Sequence, residues 1–189
     1  LLKWKAAKHH DQEIQELVTA LSNYYRKSLA KGEDIVTVMD EIEHISAYVY
    51  IQNKRFDDCI GLILEIPEDV KGCMIPRITL QPIVENAVLH GLLEKPEPNG
   101  TILIRAEKKD ELLEIIIRDD GIGMEREKAD KLLTEDSEGS ITGSGYGLKN
   151  IDERIKLTFG KNYGLRFDSR PGDGTTVMIT MPARMEKQE

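Results

Sequence analysis

Four stretches of this chain hold residue types that suit chemistry. In "QPIVENAVLHG", Asn86 and His90 lie one turn apart on a helical wheel, beside an apolar face of Leu80, Ile83, Val84, Ala87 and Val88. Their side chains can converge on one target, and an amide oxygen is a hard ligand suited to magnesium. A solvent-facing Asn and His is the bland alternative. In "IIIRDDGIGM" an apolar run ends in Asp119-x-Gly121-x-Gly123. The acid can accept a hydrogen bond from an exocyclic amine, and glycines let backbone approach a flat ring. An ordinary strand-ending turn has the same letters. "GSGYGLKNI" sets Gly143, Gly145 and Gly147 before a helix whose apolar positions are Leu148, Ile151, Ile155 and Phe159. Open backbone N–H groups at the positive end of a helix bind anions; a flexible lead-in would also be glycine-rich. In "PGDGTTVMITMP", Gly172-x-Gly174-Thr175 begins an alternating strand and by itself is a hairpin. Neither the P-loop nor the G-x-G-x-x-G fingerprint occurs. The opening "LLKWKAAKHHDQEI" adds a side-by-side pair, His9 and His10, as a possible acceptor.

The elements that must position these residues fall into two parts. Ile14, Leu17, Leu21 and Tyr24, widened by Val18 and Tyr25, predict one amphipathic helix. Ile35, Val38, Ile42, Ile45, Val49 and Phe56 predict a second at nearly coiled-coil spacing, with Thr37 and Asp40 as its capping pair. Lys31-Gly32-Glu33-Asp34 supplies the turn between them. Such a hairpin has too little mass to bury both stripes, so a second copy of the chain is expected to cover them as a four-helix bundle. Packing on the rest of the same chain is the alternative. After Asp57-Asp58 the pattern changes. "CIGLILEIP" reads as a strand, "PRITLQPIVENAVLHGLL" as a helix, and "TILIRAEK" with "LLEIIIRDD" as paired strands. The polar "TEDSEGSITGSG" precedes the helix "LKNIDERIKLTFG", and "LRFDSRP" and "TTVMITMP" close the chain as strands. This order implies an α+β layer: one mixed, mostly antiparallel sheet with helices on one face, after a helical hairpin. The expected division is 1–58 and 59–189.

Composition narrows the function classes. A net charge of −8 argues against nucleic acid, whose binding relies on clustered Lys and Arg. With 40% hydrophobic residues the chain can build a core, and no apolar run approaches the ~18 residues of a membrane span. Cys59 and Cys73 read as free thiols in a reducing compartment. The chain begins with Leu, so a fragment is expected.

In order and spacing, Asn on a helix, D-x-G-x-G, a polar lid, G-x-G-x-G and G-x-G-T resemble the GHKL (Bergerat-type) ATP-binding superfamily of histidine kinases, gyrase, Hsp90 and MutL. The resemblance covers about residues 60–182. "LQPIVENAVLHGL", "YVYIQNKRF" and "GYGLKNIDERI" are similar to the LytS/YesM type of sensor histidine kinase, which takes in the hairpin too.

The resemblance implies a two-layer α/β sandwich that binds Mg-ATP and passes the γ-phosphoryl to a histidine, then to a response-regulator Asp. It assigns Asn86 to the magnesium, Asp119 to the adenine amine, Gly121 and Gly123 to the adenine pocket, and Gly143, Gly145 and Gly147 to the phosphate side. Leu148 belongs to the same nucleotide set, Thr175 supports adenine, and His90 sits where relatives often carry a residue near the phosphates. It further implies a homodimer through the hairpin, a receiver-domain partner, and the cytoplasmic portion of a bacterial membrane protein anchored by upstream segments. The superfamily's water-activating Glu would fall at Pro82, which disfavours a hydrolase. A residue often Lys is Leu89. Glu85 points about 100° away from Asn86 and is not promoted to base. The acceptor motif P-H-F-[LY]-N is absent, so the acceptor is expected upstream of Leu1, with His9, His10 and His44 as hairpin surface or interface residues. Two rival readings are an ATP-gated interaction module that transfers nothing and a conformational ATPase.

Overall fold

A computed structural model describes residues 12–29, 34–133 and 144–185. Helix α1 (Gln12–Leu29) is followed by a short strand β1 (Ile35–Thr37) and helix α2 (Val38–Arg55). Then come β2 (Ile60–Glu65), a single turn α3 (Glu68–Lys71) and β3 (Met74–Pro76). Helix α4 (Gln81–Asn86) runs on into a π-helical segment, Ala87–Leu92. Strands β4 (Gly100–Lys109) and β5 (Leu112–Asp119), helices α5 (Arg126–Lys131) and α6 (Ser144–Phe159), and strands β6 (Gly164–Arg170) and β7 (Gly174–Pro182) complete the order.

The main sheet has the order β2-β4-β5-β7-β6, with β2 parallel to β4 and every other pairing antiparallel. Side-chain alternation sets its inner face. Ile102, Ile104 and Ala106 of β4, Leu113, Ile115 and Ile117 of β5, and Val177, Ile179 and Met181 of β7 are all buried. Helices α2, α4 and α6 cover that face through Ile42, Ile45, Ile83, Val84, Ile151 and Ile155, in one continuous core. The sheet-and-helix layers agree with the expected fold class.

Three expectations change. Ile35 belongs to β1, which pairs antiparallel with β3, and α2 starts only at Val38. Thr37 does cap α2, as a full capping box with Asp40, worth about 1 kcal/mol. Secondly, the α2 stripe needs no second copy: Val38, Ile42, Ile45 and Val49 are buried in the core of this same chain. The α1 stripe differs, because Leu17, Val18 and Leu21 are only half-buried and Ile14 is 47% exposed. Thirdly, His44 is buried at 4% exposure, its ring 4.8 Å from the Tyr24 ring in an edge contact between α1 and α2. Among the described residues, no helix is long and apolar enough to cross a membrane. Cys59 and Cys73 are free thiols.

If α2 belongs to the core, Ile45→Ala should cost about 2–5 kcal/mol in urea unfolding at any protein concentration. Leu157→Ala, at a side chain 88% exposed, should stay within about 0.5 kcal/mol. A concentration-dependent loss for Ile45→Ala would return that stripe to an interface between copies.

Candidate functional site

The inward phase of β5 runs Leu113, Ile115, Ile117 and then Asp119, so a carboxylate occupies a position where the pattern asks for an apolar side chain. Asp119 is 5% exposed. Its Oδ1 accepts the N–H of Gly121 at 2.9 Å and that of Thr175 at 3.3 Å, across the register pair Asp119–Thr175. Burial pushes the Asp119 carboxyl above its ordinary value, opposed by those two N–H groups.

The loop after Asp119 lies against the π-helical segment with no room for side chains. A Cβ on Gly121 would stand 2.4 Å from the Gly91 carbonyl carbon, and one on Gly91 would stand 2.8 Å from Asp119 Oδ1. Ile122 N–H donates to the Gly91 carbonyl at 3.1 Å. Gly123 takes φ +64°, tucked against the Arg170 carbonyl. On the far side Ser169 Oγ accepts Met124 N–H at 2.9 Å and meets Thr175 Oγ1 at 2.9 Å.

These elements enclose a cavity of about 360 Å³. Asn86, His90, Asp119, Gly123, Leu148 and Thr175, all singled out in the sequence, line it. Gly121 lies behind the wall, against Gly91. Gly145 and Gly147 do not precede the helix but lie within the first turns of α6, where a Cβ on Gly147 would stand 3.6 Å from Pro82 Cβ. Gly143, the polar stretch 134–143 and the pair His9 and His10 lie outside the described residues. His90 Nδ1 is 3.0 Å from Glu94 Oε1 at the rim. Glu85 does not line the cavity; its Oε1 accepts Gln81 Nε2 at 2.6 Å. A larger groove, about 870 Å³, runs between α1 and α2, but none of the proposed site residues lines it.

Sequence reasoning missed part of the lining. Ile83, Ala87, Ile117, Ile122, Met124, Phe167 and Val177 make the walls apolar, and Lys128 and Glu94 add charge. The glycine inside the apolar run "LHGLL" was a usable signal for Gly91, since an interior helical glycine asks for a packing reason. Lys128 sits in the polar helix "REKADK", which no periodicity marks.

A deep, mostly apolar slot with one acceptor at its floor and a polar mouth suits a flat aromatic base joined to an anion. Comparison with known proteins agrees. Residues 76–185 match the family described as histidine kinase-, DNA gyrase B- and HSP90-like ATPase, and residues 1–60 match the histidine kinase family. This chain belongs to the histidine kinase-, gyrase B- and HSP90-like ATPase family. Within that family its relatives are sensor histidine kinases. It is 38% identical over 98% of its length to sensor histidine kinase YesM of Bacillus subtilis, and 32% identical over 96% to sensor histidine kinase BtsS of Escherichia coli. The chain spans 30% of the length of each of these relatives. The fold is shared with the mycobacterial sensor histidine kinase MprB (TM-score 0.58, 19% identity, 82% of this chain and 100% of that one). It is also shared with the catalytic domain of histidine kinase ThkA (TM-score 0.58, 17% identity, 80% and 97%).

Asp119→Asn isolates the floor of the slot. Asparagine keeps both backbone bonds through its oxygen but turns the other oxygen into a donor. ATP affinity should fall at least about tenfold, within the 1–3 kcal/mol of a mismatched buried group. Stability should move the other way. A carboxyl raised by folding contributes stability below its unfolded pKa and loses it as pH rises through its folded pKa. On the high-pH side of that window Asp119 is therefore a net cost to folding, and the variant should melt no lower than the parent there. Unchanged ATP titration by calorimetry would remove Asp119 from the site.

Proposed function

We propose that this chain is the ATP-binding catalytic portion of a two-component sensor histidine kinase. The carrying observation is the convergence of Asp119, Thr175, Asn86 and the first turns of α6 on a single cavity. In this reading Asp119 Oδ2 accepts from the adenine amine, since Oδ1 already serves two N–H groups. Thr175 and the backbone at Gly121 and Gly123 flank the ring, and Leu148 packs against the nucleotide. Gly143, Gly145 and Gly147 leave the N-terminal end of α6 open toward the phosphates, with His90 on the same side.

Magnesium fits the donor set. Asn86 would hold the ion through its amide oxygen, phosphate oxygens and water completing the shell. Bound there, magnesium neutralises charge on the phosphates. The chain's own residues bind, orient and exclude water. The acceptor imidazole nitrogen forms a bond to the γ-phosphorus as the bond to the β–γ bridging oxygen breaks, leaving ADP. Pro82, not a carboxylate, stands one turn before Asn86 and beside Gly147, which supports transfer over hydrolysis.

In the same reading the acceptor is a histidine of a P-H-F segment upstream of Leu1, which the burial of His44 between helices and the place of His90 on the cavity support. Residues 1–58 would dimerise and 59–189 bind nucleotide, with α2 as the wall common to both. The half-buried α1 stripe supports pairing with a second copy. A receiver domain would take the phosphoryl group, and upstream segments would anchor the protein in a bacterial membrane with this portion in the cytoplasm.

Asn86→Ala should weaken magnesium-dependent ATP binding about tenfold, a change of ~1.4 kcal/mol, and spare the metal-free component. Equal losses with and without magnesium would make Asn86 structural. With γ-labelled ATP the chain should acquire no acid-labile phosphohistidine, whereas a version extended through a P-H-F motif should. Label on the present chain that vanishes in a His9, His10 double substitution would overturn the acceptor assignment. Mg-ATP binding without transfer in the extended version would favour a nucleotide-gated module.

A further inference from the structure

The turn leading into α4 is held by side chains from three other helices. Glu41 of α2, only 3% exposed, accepts three consecutive backbone N–H groups. Ile78 N–H reaches Oε1 at 2.8 Å, and those of Thr79 and Leu80 reach Oε2 at 2.9 and 3.0 Å. From the other side Arg154 of α6 donates through Nη2 to the Ile78 carbonyl at 2.9 Å and to Thr79 Oγ1 at 3.3 Å. Ile78 itself sits at φ +56°, an outlier for a β-branched residue that persists only where its surroundings over-determine it. At the first residue of α4, Gln81 Nε2 donates to the Tyr24 hydroxyl of α1 at 2.9 Å.

Asn86 lies at the end of this same short helix, and Gly147 of α6 faces its first turn at Pro82. The backbone conformation that launches α4 is thus imposed from outside, with the N–H side of the turn on the hairpin and the carbonyl side on α6. Apolar packing alone leaves a helix free to slide or rotate slightly, whereas three charge-assisted hydrogen bonds fix its start. A glutamine at position 41 retains one carbonyl oxygen and turns a donor toward the other N–H groups.

We propose that Glu41 is a positioning residue for the magnesium–nucleotide site, setting where Asn86 stands, while Arg154 holds α6 to the same turn. The proposal rests on the reading of Asn86 as the magnesium-side ligand. It makes the hairpin a control on nucleotide grip: a shift of α2 displaces the start of α4 and, through Arg154, the helix that carries Gly145 and Gly147.

The test compares Mg-ATP with metal-free ATP, by calorimetry, for Glu41→Gln and Arg154→Lys, each alone and combined with Asn86→Ala. Glu41→Gln should weaken Mg-ATP binding about fivefold or more, as expected for lost bonds to a charged group, and leave metal-free binding within about twofold. In the Asn86→Ala background it should add nothing. Equal loss of both affinities, or effects that add to Asn86→Ala, would overturn the proposal. Should Glu41→Gln fail to fold, Arg154→Lys carries the test, at a half-buried position where a lysine cannot bridge the carbonyl and the hydroxyl in the same way. It must show the same magnesium-selective, Asn86-dependent loss of at least about twofold, or the proposal fails. A parent chain that binds no Mg-ATP would sink the site reading along with this one. A parent that binds it, beside an indifferent Glu41→Gln, would sink this one alone.

Discussion

A carboxylate taken out of water must find donors inside the protein, and those donors then have nowhere else to be. Glu41 and Asp119 both meet this demand with backbone N–H groups: three from Ile78 to Leu80 for one, two from Gly121 and Thr175 for the other. Asp152 does the same in part, taking Leu165 N–H at 2.8 Å together with Lys156 Nζ at 2.6 Å. Glu41 and Asp119 therefore pin segments that helices and strands leave irregular, and Asp152 pins the end of a strand. The turn before α4, the loop after β5 and the start of β6 are placed by side-chain charge as much as by packing.

Sheet topology decides what those pinned segments can build. Antiparallel pairing of β5 with β7 brings the end of one strand beside the start of the other, so Asp119 and Thr175 meet at one edge of the inner face. Helix α4 crosses the same face, and its burial of Ile83 and Val84 leaves Asn86 on the open side. The cavity is what remains between a sheet edge and two helices that cannot close over it. Its apolar walls are the ordinary core, continued outward until polar residues replace it.

The sequence carried one corner of this site and two element ends because each leaves a local signal. Asp119 interrupts an inward apolar phase, Thr37 and Asp40 have capping spacing, and Gly160 stops α6 with φ +110°. Elsewhere local rules were silent or misleading. Ile35 falls in phase with the α2 stripe, and three residues of strand cannot be told from a first helical turn by spacing alone. His44 reads as hairpin surface or interface, and spacing alone does not choose; it is buried in an edge contact with the Tyr24 ring where α1 meets α2. Gly145 and Gly147 suggest a loop by propensity, but α6 begins at Ser144 and runs through both. The apolar lining was invisible for another reason: Phe167 or Val177 at a cavity wall has the same pattern as it would in a closed core.

The π-helical segment links the two ends of the pocket. An α-helix running on through Ala87–Leu92 would bond Leu93 to Leu89; here Leu93 N–H reaches back to the Val88 carbonyl at 3.0 Å, one residue further. The wider turn changes the direction in which later residues face relative to Asn86. Gly91 then lies against the Asp119 loop, and its carbonyl, one of those a helix end leaves without an internal partner, takes the Ile122 N–H. A side chain at position 91 would run into Asp119, and one at 121 would run into Gly91, so this contact exists only as backbone on backbone. The result is one continuous hydrogen-bonded path from Glu41, through the start of α4 and past Asn86, to Gly91 and the loop that holds Asp119. Asn86 and Asp119, both on the cavity wall, thus belong to parts of a single connected unit whose first fixed point lies on the hairpin.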